Sequence, residues 1–221
     1  MKSDFSSLAF VFRQSLVASG LSFSLGHTQQ LLAASLGYGS LAAIQASTEE
    51  VPGLEGADFV ILDITGLTAR AASLGLGSVS DQITGAIVSA IKSDPEPPAV
   101  FLTPLDFIED VAGRFANDTV MDHDAVSNAA ANTNAYFEGA YLEATEPEEA
   151  LKDCREFWEI PVEGNVGMDQ DPDKPFSGDN ILVKGVVRVW KAGRVCLMND
   201  MELDIGAGVD DSYFDLDETN A

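Results

Sequence analysis

Cysteine and histidine are nearly missing from this chain, with two of each in 221 residues. Cys154 and Cys196 are too few for a metal cluster or a disulfide framework, so a reduced protein is expected. Positive charge is scarce as well. Twelve Lys and Arg stand against 36 Asp and Glu, giving a formal net charge of -24. A phosphate backbone or an anionic membrane surface repels such a chain, so direct nucleic-acid binding and membrane binding are not expected. No apolar run approaches the roughly 18 residues of a membrane span. Leu8 to Phe12 is apolar but short, with Asp4 before it and Arg13-Gln14 after it. That pattern does not match a signal-peptide core, and a cytoplasmic protein is the expectation.

Catalytic signatures are missing too. There is no Gly-x-Ser-x-Gly, no Cys-x-x-Cys and no His-Glu-x-x-His. Gly75-Leu-Gly-Ser78 lacks the third glycine and the preceding strand of a dinucleotide loop. Asp63 ends an apolar β-branched run, where α/β enzymes often place an acid, but no phosphate loop follows it. No catalytic residue and no cofactor are assigned.

What is present is 46% hydrophobic residues, enough for one large domain or two small ones. Charge divides the chain. Before Glu49 there is one acid, Asp4, against Lys2 and Arg13; from Glu49 onward 35 acids face ten bases. Residues 1–48 read as a neutral helical module, and 49–221 as an acidic α+β domain. The acidic tail is expected to be disordered from about residue 210.

Phe5, Leu8, Ala9, Phe12 and Leu16 form one helical stripe, with Ser3 or Asp4 as cap and Gly20 as terminator. A second helix spans about Thr28–Leu36 and closes on Gly37. A third runs from the Ser40 cap to about Ala46. Thr48–Asp58 reads as a linker. Phe59–Ile64 and Val100–Thr103 read as short strands. Helices are expected from Thr65 to Leu74, from Asp81, and after Pro104 with Phe107, Ile108, Val111 and Phe115 buried. Helix is also expected over Asp122–Glu143 and Glu146–Phe157. Glu163–Asn180 reads as a loop. Ile181–Trp190 and Arg194–Met198 are expected as strands about a turn at Lys191–Gly193, with Met201–Ile205 as a third. The fold class is α+β: N-terminal helical module, helix-rich middle with short strands, C-terminal antiparallel β meander.

Ala33 and Gly37 have the spacing of a helix-turn-helix, with Leu32 and Leu36 at its core positions. The next helix, Ser40 to Ser47, carries no Lys or Arg, so the chemistry of a DNA reader is missing. The run Leu25-x-x-Thr28-Gln-x-Leu-Leu-Ala-Ala-x-Leu-Gly37-Tyr-x-Ser40-Leu-x-Ala-Ile44 resembles a small helical module of bacterial mobile-element proteins, some of them labelled glyoxalase-related. Gly26-His27 stands near that module's Ser-His pair, and Leu41 replaces its aromatic residue. The resemblance covers about 25 residues. It implies an accessory protein of bacterial or plasmid origin and carries over no catalytic residue.

Asp122-His123-Asp124 offers nitrogen and oxygen ligands, but adjacent helical residues point apart, and a solvated helix end is the plainer reading. Asp169, Asp171 and Asp173 resemble the opening of a calcium loop. Lys174 and Asn180 stand where an EF-hand needs Gly and Glu, leaving a non-EF cation site or an Asx-turn loop.

These observations point to a non-catalytic protein–protein interaction or accessory protein, with Gln29, Gln30, Tyr38, Leu41 and Gln45 as candidate contact residues. Its partner would be a protein, and a basic one where it meets the acidic body. A homo-oligomer is compatible with this reading. A sharper form is mimicry of the charge of DNA toward a nucleic-acid-binding protein. The rival is an enzyme with a pocket between the helical middle region and the C-terminal sheet.

Overall fold

The computed structural model describes residues 5–46, 54–131, 133, 135–170 and 180–210. The expected cap at Asp4, residues 48–53 of the expected linker and the tail beyond 210 lie outside the described residues. The class is α+β, with helices leading and antiparallel strands closing the chain. The chain divides into two compact units. The first comprises Met1–Asp106, Glu149–Trp158 and Val189–Asp200; the second comprises Phe107–Glu148, Glu159–Arg188 and Met201–Ala221. Residues 1–48 thus fall inside a larger unit.

In the first unit, α1 (Phe5–Ala18) buries Leu8, Ala9, Phe12 and Leu16 as their spacing predicts. It lies against α2 (Leu25–Ser35) and α5 (Ser80–Ile91), while α2 lies against α4 (Ile64–Ser73). Ser24 caps α2 by accepting the His27 N–H, one turn earlier than the expected start at Thr28. Ser40 caps the short α3 (Leu41–Ala46) through the Ala43 N–H. Gly37 has φ +79, and a Cβ there would sit 3.0 Å from Val195 Cγ1. Glycine therefore serves both the helix end and a close approach. Strand β1 (Phe59–Ile61) pairs in parallel with β2 (Ala99–Phe101), and α6 (Pro104–Phe107) follows.

In the second unit, α7 (Arg114–Thr119) and α8 (Asp124–Ala130) precede strand β3 (Ala135–Ala144). A π-helical stretch at Ile108–Gly113 leads into α7. Its extra residue rotates the helix face, so Ala112 and Ala116 are fully buried while Val111 and Phe115 are half-buried. Three long strands complete the fold: β4 (Phe157–Gln170), β5 (Asn180–Gly193) and β6 (Cys196–Val209). Each contributes a segment to either unit. The hydrogen-bonded order of the sheet is β2-β1-β6-β5-β4-β3.

Four expectations are corrected. Asp122–Glu143 is helical only to Ala130. From Ala135 the chain pairs with β4, because Phe137, Ala140, Leu142 and Ala144 meet Met168, Val166, Gly164 and Val162 across the ladder. Glu146–Phe157 forms turns and no helix. Its carbonyls find side chains instead: Trp158 Nε1 donates to Glu149 O, and Lys191 Nζ donates to Leu151 O and Cys154 O. Glu163–Gln170 is strand, with Val166 and Met168 turned inward. Finally β5 runs on to Gly193 and turns at Arg194-Val195, so the two expected return strands are one strand, β6. Asn199 and Asp200, which lie between the two expected strands, are exposed, and the Asn199 N–H donates to Asp58 Oδ2 at 2.7 Å.

Strand β3 ends the sheet, where unpaired backbone groups invite unwanted strand pairing. Asn117 blunts that edge. Its Nδ2 donates to Leu142 O and its Oδ1 accepts the Leu142 N–H, both at 2.8 Å. Strand β5 is central, as its valine content suggested. Ile181, Val183, Val187 and Val189 are buried, but the opposite face, with Leu182 52% exposed, is open. Gly185 allows β6 to come close, since a Cβ there would lie 2.1 Å from Asp204 O.

Val187 is 0% exposed on this central strand. Val187→Asp is expected to cost about 4 kcal/mol, on the order of 10 °C in melting temperature, through an unpaired buried charge. Leu182→Asp, on the open face, is expected to leave the melting temperature within about 2 °C. Equal melting of the two variants would show that the strand's faces are assigned wrongly.

Candidate functional site

Two regions bring functional side chains together, one in each unit. In the first unit, a cavity of about 610 Å³ is lined by Tyr38, Lys152, Asp153, Cys154, Arg155, Lys191 and Arg194, among others. An adjoining cavity of about 510 Å³ shares Tyr38, Lys152 and Arg194 and adds Asp63 and Arg70. Five of the chain's twelve bases therefore line this cleft, against two acids. They come from positions 70, 152, 155, 191 and 194, so no run of sequence announces them.

Asp63 builds one wall. Its Oδ1 accepts the Gly66 N–H at 2.8 Å, capping α4, and its Oδ2 receives Lys152 Nζ at 3.1 Å. Its own N–H donates to Ser35 O at 2.9 Å. Gly66 must be small here, because a Cβ would lie 2.8 Å from Asp63 Oδ2. The acid at the end of β1 thus has a structural role, with cap and ion pair occupying both oxygens.

The basic side chains differ in what they touch. Lys191 is held by the carbonyls of Leu151 and Cys154, and Arg70 donates to Gly39 O. Arg155 is exposed. The Arg194 guanidinium lies over the Tyr38 ring, 5.7 Å from its centroid. Its Nε is buried and has no hydrogen-bond partner among the described residues.

Cys154 lines the same cleft. Burial, and next the Glu149 carboxylate, push its thiol above the ordinary value, while Lys191 acts in the opposite direction. A nucleophilic cysteine needs the reverse. Cys154 and Cys196 are both free thiols, and Cys196 is buried.

In the second unit the open face of the sheet is acidic. Glu143 of β3, Glu159, Glu163 and Asp169 of β4, and Glu202 and Asp204 of β6 are all exposed. Tyr136 and Tyr141 stand opposite Asp169 and Asn165 in the ladder and are 63% and 69% exposed. Among the described residues Lys184 and Arg188 are the bases of this face, and both are engaged. Lys184 meets Glu163 at 3.5 Å. Arg188 meets Glu159 at 2.9 Å, Glu202 at 3.9 Å and Asp204 at 2.8 Å. The Glu159 hydrogen bond, with the carboxylates around it, raises the guanidinium pKa.

Of the candidate contact residues, Tyr38 is buried in the cleft wall under Arg194. Gln29 and Gln30 are half-buried on α2, Leu41 is half-buried at the start of α3, and Gln45 falls in α3. Asp169 is exposed on β4, while Asp171 and Asp173 lie outside the described residues. Among the described residues no three His, Cys, Asp or Glu side chains are placed to hold a metal ion. His123 Nδ1 accepts the Ala125 N–H at 3.1 Å and so caps α8. Among the described residues no helix is long and apolar enough to cross a membrane. No family model, curated protein or solved structure matches the chain.

The raised thiol pKa has a measurable consequence. The folded chain holds the Cys154 proton more tightly than the unfolded chain, so this group's contribution to stability falls as pH rises past the free-cysteine value. Alkylation of Cys154 by iodoacetamide is expected to have its midpoint above that of a free cysteine, and Cys196 is expected to react only on unfolding. A midpoint below about pH 8 would overturn this account of the thiol.

Proposed function

We propose that this chain is a non-catalytic protein–protein interaction or accessory protein that docks a basic protein partner on the open sheet face of its second unit. One observation carries the reading: exposed tyrosines stand on that face among six carboxylates, with its two bases already neutralised by those same acids. Tyrosine supplies large contact area at low entropic cost, and the unneutralised carboxylates steer a basic partner inward. Mimicry of DNA charge is the special case in which that partner is a nucleic-acid-binding protein. A cytoplasmic location and a bacterial or mobile-element origin belong to the same proposal. They rest on composition and on the module resembled by residues 25–44.

The test uses a Lys- and Arg-rich peptide with interleaved apolar residues. Binding to the full chain is expected near physiological salt and to weaken as salt is raised. The Tyr136→Ser/Tyr141→Ser double variant is expected to lose about tenfold or more in affinity, about 1.4 kcal/mol, with an unchanged fold. Peptide binding that survives the double variant would move the docking site elsewhere, and a lack of binding at low salt would end the proposal. Duplex DNA is expected to give no mobility shift with micromolar protein near physiological salt, because no basic helix is presented to a groove.

A further inference from the structure

We propose that the cleft of the first unit is a binding site for a small phosphate ester, seated on Arg194 and Lys152. The inference is independent of the docking surface in the second unit. It starts from an imbalance. In a chain with three times as many acids as bases, five cations line this cleft against two carboxylates, leaving three positive charges in excess. One of those carboxylates, Asp63, is already committed to Lys152 and to the cap of α4.

Arg194 gives the second observation. Its Nε is enclosed without an acceptor among the described residues, and its guanidinium lies over the Tyr38 ring. Native proteins seldom leave such a donor unsatisfied, and a bound ion is one of the explanations for those that do. Arg188, six residues earlier in the chain, shows how this protein surrounds an arginine that has only a structural role, with three carboxylates. Tyr38 fixes the plane of the Arg194 guanidinium. To take two oxygens of one phosphate on its Nε and Nη edge, the enclosed side chain has to turn about that ring toward the cavity.

The class of anion follows from charge and room. Lys152 and Arg194 line both cavities, so a phosphate between them meets two cations, with Arg70 on one side and Arg155 and Lys191 on the other. A dianion matches that number of donors better than a single carboxylate. Cavities of about 610 and 510 Å³ leave room for an organic group beyond the phosphate.

Isothermal titration of the full chain with phenyl phosphate, inorganic phosphate and benzoate tests this. Phenyl phosphate is expected to bind with submillimolar affinity, inorganic phosphate less tightly, and benzoate at least tenfold more weakly than phenyl phosphate. Arg194→Gln is expected to lose at least tenfold in phenyl phosphate affinity and to melt no lower than the parent chain, since it removes an unsatisfied donor. Lys152→Gln disturbs Asp63, so Arg155→Gln serves as the second variant, with a loss of about threefold. Phenyl phosphate binding unchanged by Arg194→Gln would overturn the site, and benzoate binding equal to phenyl phosphate would overturn the phosphate class. A phosphoserine peptide binding tenfold more tightly than phenyl phosphate would replace the small ester by a partner's side chain.

Discussion

Much of the first unit depends on one carboxylate. Asp63 stands where β1 gives way to α4, and three segments meet at it. Its backbone N–H takes the Ser35 carbonyl at the end of α2, one oxygen caps α4, and the other holds Lys152 from the segment after β3. The Lys152 and Asp63 side chains are 40% and 13% exposed, so the pair is partly withdrawn from water. Breaking such a pair by removing one partner leaves a buried charge, which is why its removal is more damaging than the pair is stabilising. The cleft beside it inherits its geometry. Lys152 is fixed by Asp63, and Gly66 must stay small to let Asp63 bend back.

The turn-rich stretch 149–156 follows the same logic at lower order. It has no regular structure of its own, yet its carbonyls are taken by Trp158, Lys191 and the Lys191 backbone N–H. These are strand residues reaching across to satisfy a loop. The arrangement explains how a segment without a helix or strand can still present Lys152, Cys154 and Arg155 at fixed positions.

The helical half of the fold was legible because its signals are local. The stripe of Leu8, Phe12 and Leu16, the cap at Ser40, and the left-handed glycines at 20, 37 and 75 all act within a few residues. Strand β3 was not legible. Its alanines and glutamates favour helix locally, and it becomes a strand because its apolar residues match those of β4 across the ladder. Strand β4 was hidden by glutamate, glycine and asparagine between Val162, Val166 and Met168. The break read at Asn199 fails because Asp58, 141 positions earlier, accepts its N–H. The cleft was illegible for the same reason. Its bases are scattered along the chain, and none of them was singled out; of the lining, Tyr38, Asp63 and Cys154 were noted, each for a different reason.

Charge sorting gives the two candidate surfaces opposite roles. A net charge of -24 acts at a distance, and salt screens it beyond about 8 Å under physiological conditions. A polyanion such as duplex DNA carries charge over a span far longer than that, so it meets the whole acidic surface and is turned away. A small dianion inside the cleft feels chiefly the nearby groups, and the lining supplies five cations and two acids, with Glu149 beside Cys154 as a further carboxylate. The acidic surface therefore need not oppose an anion site and can select for small anions over large ones. A basic protein meets the reverse situation. In the proposed docking, attraction would begin at the surface, be strongest where carboxylates cluster unneutralised, and become specific only where tyrosines give the partner something to pack against.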